Sequence, residues 1–220
     1  MAEWIIYITE ILGTVAFAAS GAMIAIKRKL DLFGVAFIAL ITSFGGGAIR
    51  DVCLGHFPPR MFYKFEFLAI AVAVSLVVFV ITYLKVLKRG KHSEFFDVMI
   101  NVIDAFGLAA FSVSGVQVAI SSGYEKNAVL CILMGMVTGV GGGILRDVMT
   151  QTIPYVFQKH VYAIASIAGS LVFYLLIVFG ANDTASSFIA GGLIVVIRIL
   201  AAKYMWSLPK IKTEDTEAGK

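Results

Sequence analysis

Apolar residues run along this chain in seven stretches separated by short polar breaks, at Trp4–Ile26, Leu32–Leu54, Phe65–Leu87, Phe96–Ile120, Ala128–Thr150, Val161–Gly180 and Ala185–Tyr204. A helix rises about 1.5 Å per residue, so roughly 20 apolar residues cross the ~30 Å hydrocarbon layer of a bilayer. The pattern therefore predicts an all-α integral membrane protein with seven transmembrane helices. Two stretches contain an unexpected phrase, Gly45-Gly46-Gly47 followed by Arg50-Asp51, and Gly141-Gly142-Gly143 followed by Arg146-Asp147. Three consecutive glycines give up side-chain packing and raise the entropy cost of a helix, so both spans are expected to be broken at the triplets, near mid-membrane.

The repetition is wider than the triplets. A shift of 94 positions (104 − 10) lays Glu10 on Asp104, Gly13 on Gly107, Phe17 on Phe111 and Ser20-Gly21 on Ser114-Gly115. A shift of 96 (141 − 45) then superposes the triplets, the Arg-Asp pairs, and Pro58 on Pro154. A three-span unit thus occurs twice, at about residues 5–87 and 98–180, with an extra helix at about 185–204. The expected organisation is a single transmembrane domain over residues 1–204 and a short polar tail at 205–220. A unit with an odd number of spans enters the bilayer from opposite sides in its two copies, which makes the repeats inverted.

Composition agrees with membrane insertion, with 60% hydrophobic and 15% charged residues. The net charge of +4 is explained by topology rather than by a nucleic-acid partner. With the N-terminus outside, inside segments hold Lys27, Arg28, Lys29, Lys85, Lys88, Arg89, Lys91, Lys159, Lys203, Lys210, Lys212 and Lys220, against only Arg60, Lys64 and Lys126 outside. The C-terminus is then cytoplasmic. The compact Lys85–Lys91 cluster also suits anionic membrane lipid. Met1-Ala2-Glu3 lacks the basic start of a secretory signal, and the repetition of the segment around Ala18-Ala19-Ser20 argues against cleavage there. Cys53 and Cys131 read as buried hydrophobes. His56, His92 and His160 lie scattered at span ends, so no metal site and no cofactor is expected.

The candidate chemistry follows the repeats. Gly13, Ala16 and Ser20, like Gly107, Ala110 and Ser114, form a small-residue face that allows close helix packing. Ser20, Ser114, Thr42, Ser43 and Thr138 can each lend an oxygen to a passing ion or bond back to their own helix. Arg50, Asp51, Arg146 and Asp147 are costly at this depth and mark either function or a structural charge pair. Adjacent helical positions do not face each other, so each arginine is expected to pair with an acid from another element. Glu10 and Asp104 form a symmetric pair near span starts, placed to concentrate cations at the two mouths or to sit solvated at helix N-termini. Arg198 is expected to snorkel or to touch a neighbouring subunit.

The doubled triplet-glycine Arg-Asp phrase, the Asp104-Ala105-Phe106-Gly107-Leu108-Ala109 run and the three-plus-three-plus-one layout resemble the bacterial branch of the trimeric intracellular cation (TRIC) channel family, also labelled a glycine transporter family. The resemblance spans about residues 5–204. It implies a homotrimer in a bacterial inner membrane, with one pore for potassium or sodium ions in each protomer, lined by the first two spans of each repeat. The residues themselves leave a second reading open, a secondary transporter of a small amino acid such as glycine, because inverted repeats and helix breaks suit both. An enzyme has no Ser-His, Cys-His or zinc-type arrangement to support it. The triplets also lack the lysine and Ser/Thr of a phosphate loop.

Overall fold

The computed structural model describes residues 2–89, 94–158 and 161–206, with side chains described at all but a few helix-end positions. Lys91, His92, Lys159, His160 and the tail from residue 207 onward lie outside the described residues, and so do the side chains of Lys85, Lys88 and Arg89.

Among the described residues, seven helices are long and apolar enough to cross a membrane. They are α1 (Ala2–Lys27), α2 (Leu32–Cys53), α3 (Phe65–Arg89), α4 (Glu94–Ala119), α5 (Ala128–Met149), α7 (Val161–Val178) and α8 (Asp183–Lys203), with a one-turn helix α6 (Tyr155–Gln158) before α7. No strand occurs among the described residues. Two inverted three-helix repeats, α1–α3 and α4, α5 and α7, are followed by a seventh spanning helix, α8.

The starts and stops of α2 and α5 show how local chemistry reproduces the duplication. Asp31 caps α2 by accepting the Gly34 N–H at 2.7 Å, and Asn127 caps α5 by accepting that of Leu130 at 3.0 Å. At the far ends, the N–H groups of Leu54 and Thr150 return to the carbonyls of Arg50 and Arg146, each at 2.9 Å. The next residue is left-handed in both, Gly55 at φ 76° and Gln151 at φ 53°. That conformation costs glycine little, so Gln151 is held in it by the surrounding hydrogen bonds, notably Thr152 N–H to the Asp147 carbonyl at 2.8 Å.

The expected breaks at the glycine triplets are not there. Both α2 and α5 continue as α-helix through Gly45–Gly47 and Gly141–Gly143, and none of the six glycines has a positive φ. The glycines instead allow contact. A Cβ on Gly46 would fall on the Thr138 carbonyl, and one on Gly142 would fall on the Thr42 carbonyl. The two helices thus cross backbone against backbone, as small residues permit in membranes. The helix-propensity cost of glycine is outweighed by this packing and by the absence of water to compete for backbone hydrogen bonds.

A second reciprocal contact joins α1 and α4. A Cβ on Gly13 would meet the Phe111 ring, and one on Gly107 would meet the Phe17 ring, while the two rings lie 5.2 Å apart. Around this centre, α3 packs on α1 and α2, α7 on α5 and α4, and α8 on α4 and α7. Large side chains such as Phe33, Val77, Phe106 and Phe188 remain on the outer surface, as a lipid-facing protein requires. Cys131 is buried as expected, but Cys53 is exposed because it lies on the outer side of the last turn of α2.

Candidate functional site

Charged groups gather at both ends of the central four helices. At the end where α1 begins, the Arg50 guanidinium is almost fully buried and bonds Asp51 Oδ1 through Nη2 and Nε, at 2.8 and 2.9 Å. The other Asp51 oxygen accepts the Arg60 backbone N–H at 2.9 Å. Glu10 from α1 stands 3.9 Å from Arg50 and is held at 2.7 Å by Lys64, which also lies over the Tyr7 and Phe67 rings. Arg60 Nη2 reaches His56 Nδ1 at 3.3 Å. A cavity of about 40 Å³ enters here, past Glu10, Thr14, Ser43, Gly47 and Arg50.

At the opposite end, Arg146 is wholly buried. Its Nε bonds Asp147 Oδ1 at 2.8 Å, and its Nη1 reaches Asp104 Oδ1 at 2.7 Å and Ser20 Oγ at 3.0 Å. Ser20 in turn donates to Asp104 at 3.2 Å, so α1, α4 and α5 are tied at one point. Asp147 Oδ2 accepts the Tyr155 N–H at 2.9 Å. A wider cleft of about 440 Å³ lies outside this knot, lined by Lys27, Arg28, Asp147, Gln151 and Tyr155.

Several expectations change. Each arginine does bond its own neighbouring aspartate, because its long stem and five-donor fork curl back where shorter side chains would diverge. Each also faces an acid of the first helix in its own repeat. Asp104 is not a solvated mouth acid: it is 0% exposed, ten residues into α4, and neutralises Arg146. Glu10, 12% exposed, is likewise an ion-pair partner rather than a free mouth charge. Arg198 is buried, with its guanidinium 4.4 Å over the Tyr162 ring, and therefore neither snorkels nor lies on the surface. The N–H that caps Asp147 follows Pro154, and the one that caps Asp51 follows Pro59, so in this role Pro59, not Pro58, takes the place of Pro154.

The hydroxyls divide into two groups. Thr42 and Thr138 bond back to the carbonyls of Ile38 and Met134, both at 2.6 Å, and Ser43 bonds the Ala39 carbonyl at 2.9 Å. Ser20 joins the charge knot, and Ser114 Oγ is buried with no partner. Lys64, Tyr162 and the His56–Arg60 contact were not singled out from the sequence. Lys64 carried a signal as one of the few outside charges, whereas Tyr162 carried none. Among the described residues, no group of His, Cys, Asp and Glu could hold a metal ion.

The family model described as glycine transporter matches this chain twice, over residues 7–83 and 101–177. The chain belongs to that family. Within it, an inner membrane protein of Escherichia coli strain K12, YadS, is 35% identical over 208 residues, covering 93% of this chain and 94% of its own. The membrane protein YvgT of Bacillus subtilis strain 168 is 30% identical over 200 residues, covering 91% and 93%. Among solved structures, a prokaryotic TRIC channel crystallised in 0.5 M KCl matches with a TM-score of 0.83 at 32% identity, over 94% of this chain and 100% of that one. A TRIC orthologue from Rhodobacter sphaeroides shares the fold, with a TM-score of 0.82 at 24% identity. The family resemblance read from the doubled glycine phrase therefore holds along nearly the whole chain.

Proposed function

We propose that this protein is a monovalent cation channel, permeable to potassium, with one path in each protomer of a homotrimer. The reading is carried by the near full-length match to TRIC cation channel structures at 32% identity. In this arrangement α1, α2, α4 and α5 line the path. It enters past Glu10, Thr14 and Ser43, narrows where Gly45–Gly47 meet Gly141–Gly143, and leaves through the cleft beside Asp147. Ser20, Ser114, Thr42, Ser43 and Thr138 supply oxygens along this route, and weak, interchangeable oxygens distinguish potassium from sodium only modestly.

Arg50–Asp51 and Arg146–Asp147 act as the gates. With both arginines clamped, the arrangement described above is a closed one, and conduction requires their side chains to swing aside. The small glycine surfaces let α2 and α5 slide past one another without losing contact. The basic asymmetry supports an N-terminus outside and a C-terminus in the cytoplasm of a bacterial inner membrane.

Proteoliposomes separate this reading from transport of a small amino acid. Potassium efflux driven by a valinomycin-free gradient, together with no saturable uptake of labelled glycine, is the expected result. Saturable glycine uptake without cation flux would overturn it.

A further inference from the structure

The two ends of the bundle hold matching kinds of charge in different pairings. Each has an arginine, its neighbouring aspartate, an acid from the first helix of the repeat and a second cation from outside the repeated phrase. At the Arg50 end the second cation is Lys64, and it has captured the acid, with Glu10 Oε2 at 2.7 Å from Lys64 and Oε1 at 3.9 Å from Arg50. At the Arg146 end the arginine has the acid, at 2.7 Å, and the second cation is Arg198 on α8.

Arg198 is left incomplete. Its Nε is buried without a partner, and so are Asp104 Oδ2, Arg146 Nη2 and the Tyr162 hydroxyl. Tyr162 lines the same narrow space as Arg146 and Asp147, with its hydroxyl beside Gly143. Tyr162 also carries Arg198 on its ring, so it links Arg198 to the Arg146–Asp104 pair. Four unpaired polar atoms in a lipid-embedded core are costly and leave the cluster poised to repartner.

We infer that Asp104 exchanges partners, letting go of Arg146 and turning to Arg198 and Tyr162, and that this exchange opens the Arg146 gate. The Arg50 end shows that a first-helix acid can turn to a second cation, Lys64, while the arginine stays bonded to its own aspartate. On this account the seventh helix, which has no counterpart in the repeats, supplies the positive charge that lets Arg146 leave Asp104 and Ser20 without stranding a buried carboxylate. Arg198 is a positioning residue: it acts through Asp104 and does not line the path. The inference rests on the channel reading.

Single-channel recording of Arg198→Gln and Arg198→Lys tests it. Without the second cation, Asp104 stays with Arg146, so R198Q should lower open probability about tenfold, a usual size for coupling inside one charge network. Unit conductance should stay at the wild-type value, and R198K should restore most of the opening. Wild-type opening in R198Q, or no recovery in R198K, would overturn the inference. If R198Q does not fold, Tyr162→Phe is read instead: reduced opening at unchanged unit conductance supports the exchange and wild-type opening overturns it.

Thermal unfolding reads the pairing without currents. The Tm lost in R198Q should largely vanish in an Asp104→Asn background, and additive losses would overturn the pairing even in a conducting protein. Electrically silent wild-type membranes would instead sink the channel reading and the gating role with it, leaving the unfolding cycle to decide whether Arg198 and Asp104 are partners.

Discussion

At the end where α1 begins, Arg50 shares its acid with a lysine that is one-third exposed, and a small cavity reaches the pair. At the other end Arg146 and Asp104 are both fully enclosed, and a serine from the first repeat is drawn into their bond. The repeated phrase fixes what is common to both: the arginine bonded to its own aspartate, and that aspartate capping the N–H after a proline. The residues outside the phrase fix what differs. Glu10 reaches out to Lys64 with its extra methylene, whereas the shorter Asp104 stays inside the bundle with Arg146. A duplicated motif thus sets local geometry, and its unduplicated surroundings decide how tightly each arginine is held.

The largest consequence concerns lone charges. Asp104→Asn strands the buried Arg146 with only Asp147, and breaking such a pair costs about 3–5 kcal/mol. Glu10→Gln removes a partner that is partly solvated and already shared, so a loss of about 1 kcal/mol is expected. Denaturation of both variants in detergent checks this order, and equal losses would erase the distinction between the ends.

Next come the crossing glycines. Gly46→Ala and Gly142→Ala each press a methyl group into a carbonyl of the opposite helix, and overpacking of this kind costs about 1–3 kcal/mol. The two should lose similar stability because their contacts are reciprocal, and they should lose conductance together. Gly47→Ala is the control: its Cβ would have only the Arg50 guanidinium nearby, at 3.6 Å, so little stability should change.

A smaller effect is expected from Lys64→Met, which frees Glu10 to close on Arg50. That variant should make the first gate resemble the second, lowering open probability while stability moves by about 1 kcal/mol or less. The smallest concerns Lys27 and Asp97, which lie 2.6 Å apart but are both more than half exposed, so Lys27→Ala should change stability by less than about 1 kcal/mol.

Much of this molecule was legible in its sequence. The seven spans followed from hydrophobic length, and the inverted halves from the doubled phrase. The gathering of Arg50, Asp51, Arg146 and Asp147 with Glu10 and Asp104 was partly visible, as symmetric charges at matched positions. What glycine does was misread: three glycines in a row signal either a break or a close crossing, and only the partner backbone at Thr42 and Thr138 decides between them. The burial of Asp104 was hidden because its distance along the chain from a span start says nothing of which helices cover it. Arg198 lay outside the repeats, and Tyr162 falls on the unlike Glu66 under the shift of 96, so symmetry could not point to either.

Currents across a planar bilayer holding the purified protein, under a tenfold KCl gradient, test the central claim most directly. The account predicts discrete steps that reverse close to the potassium equilibrium potential. Membranes that stay silent, or steps that reverse near the chloride potential, would contradict it.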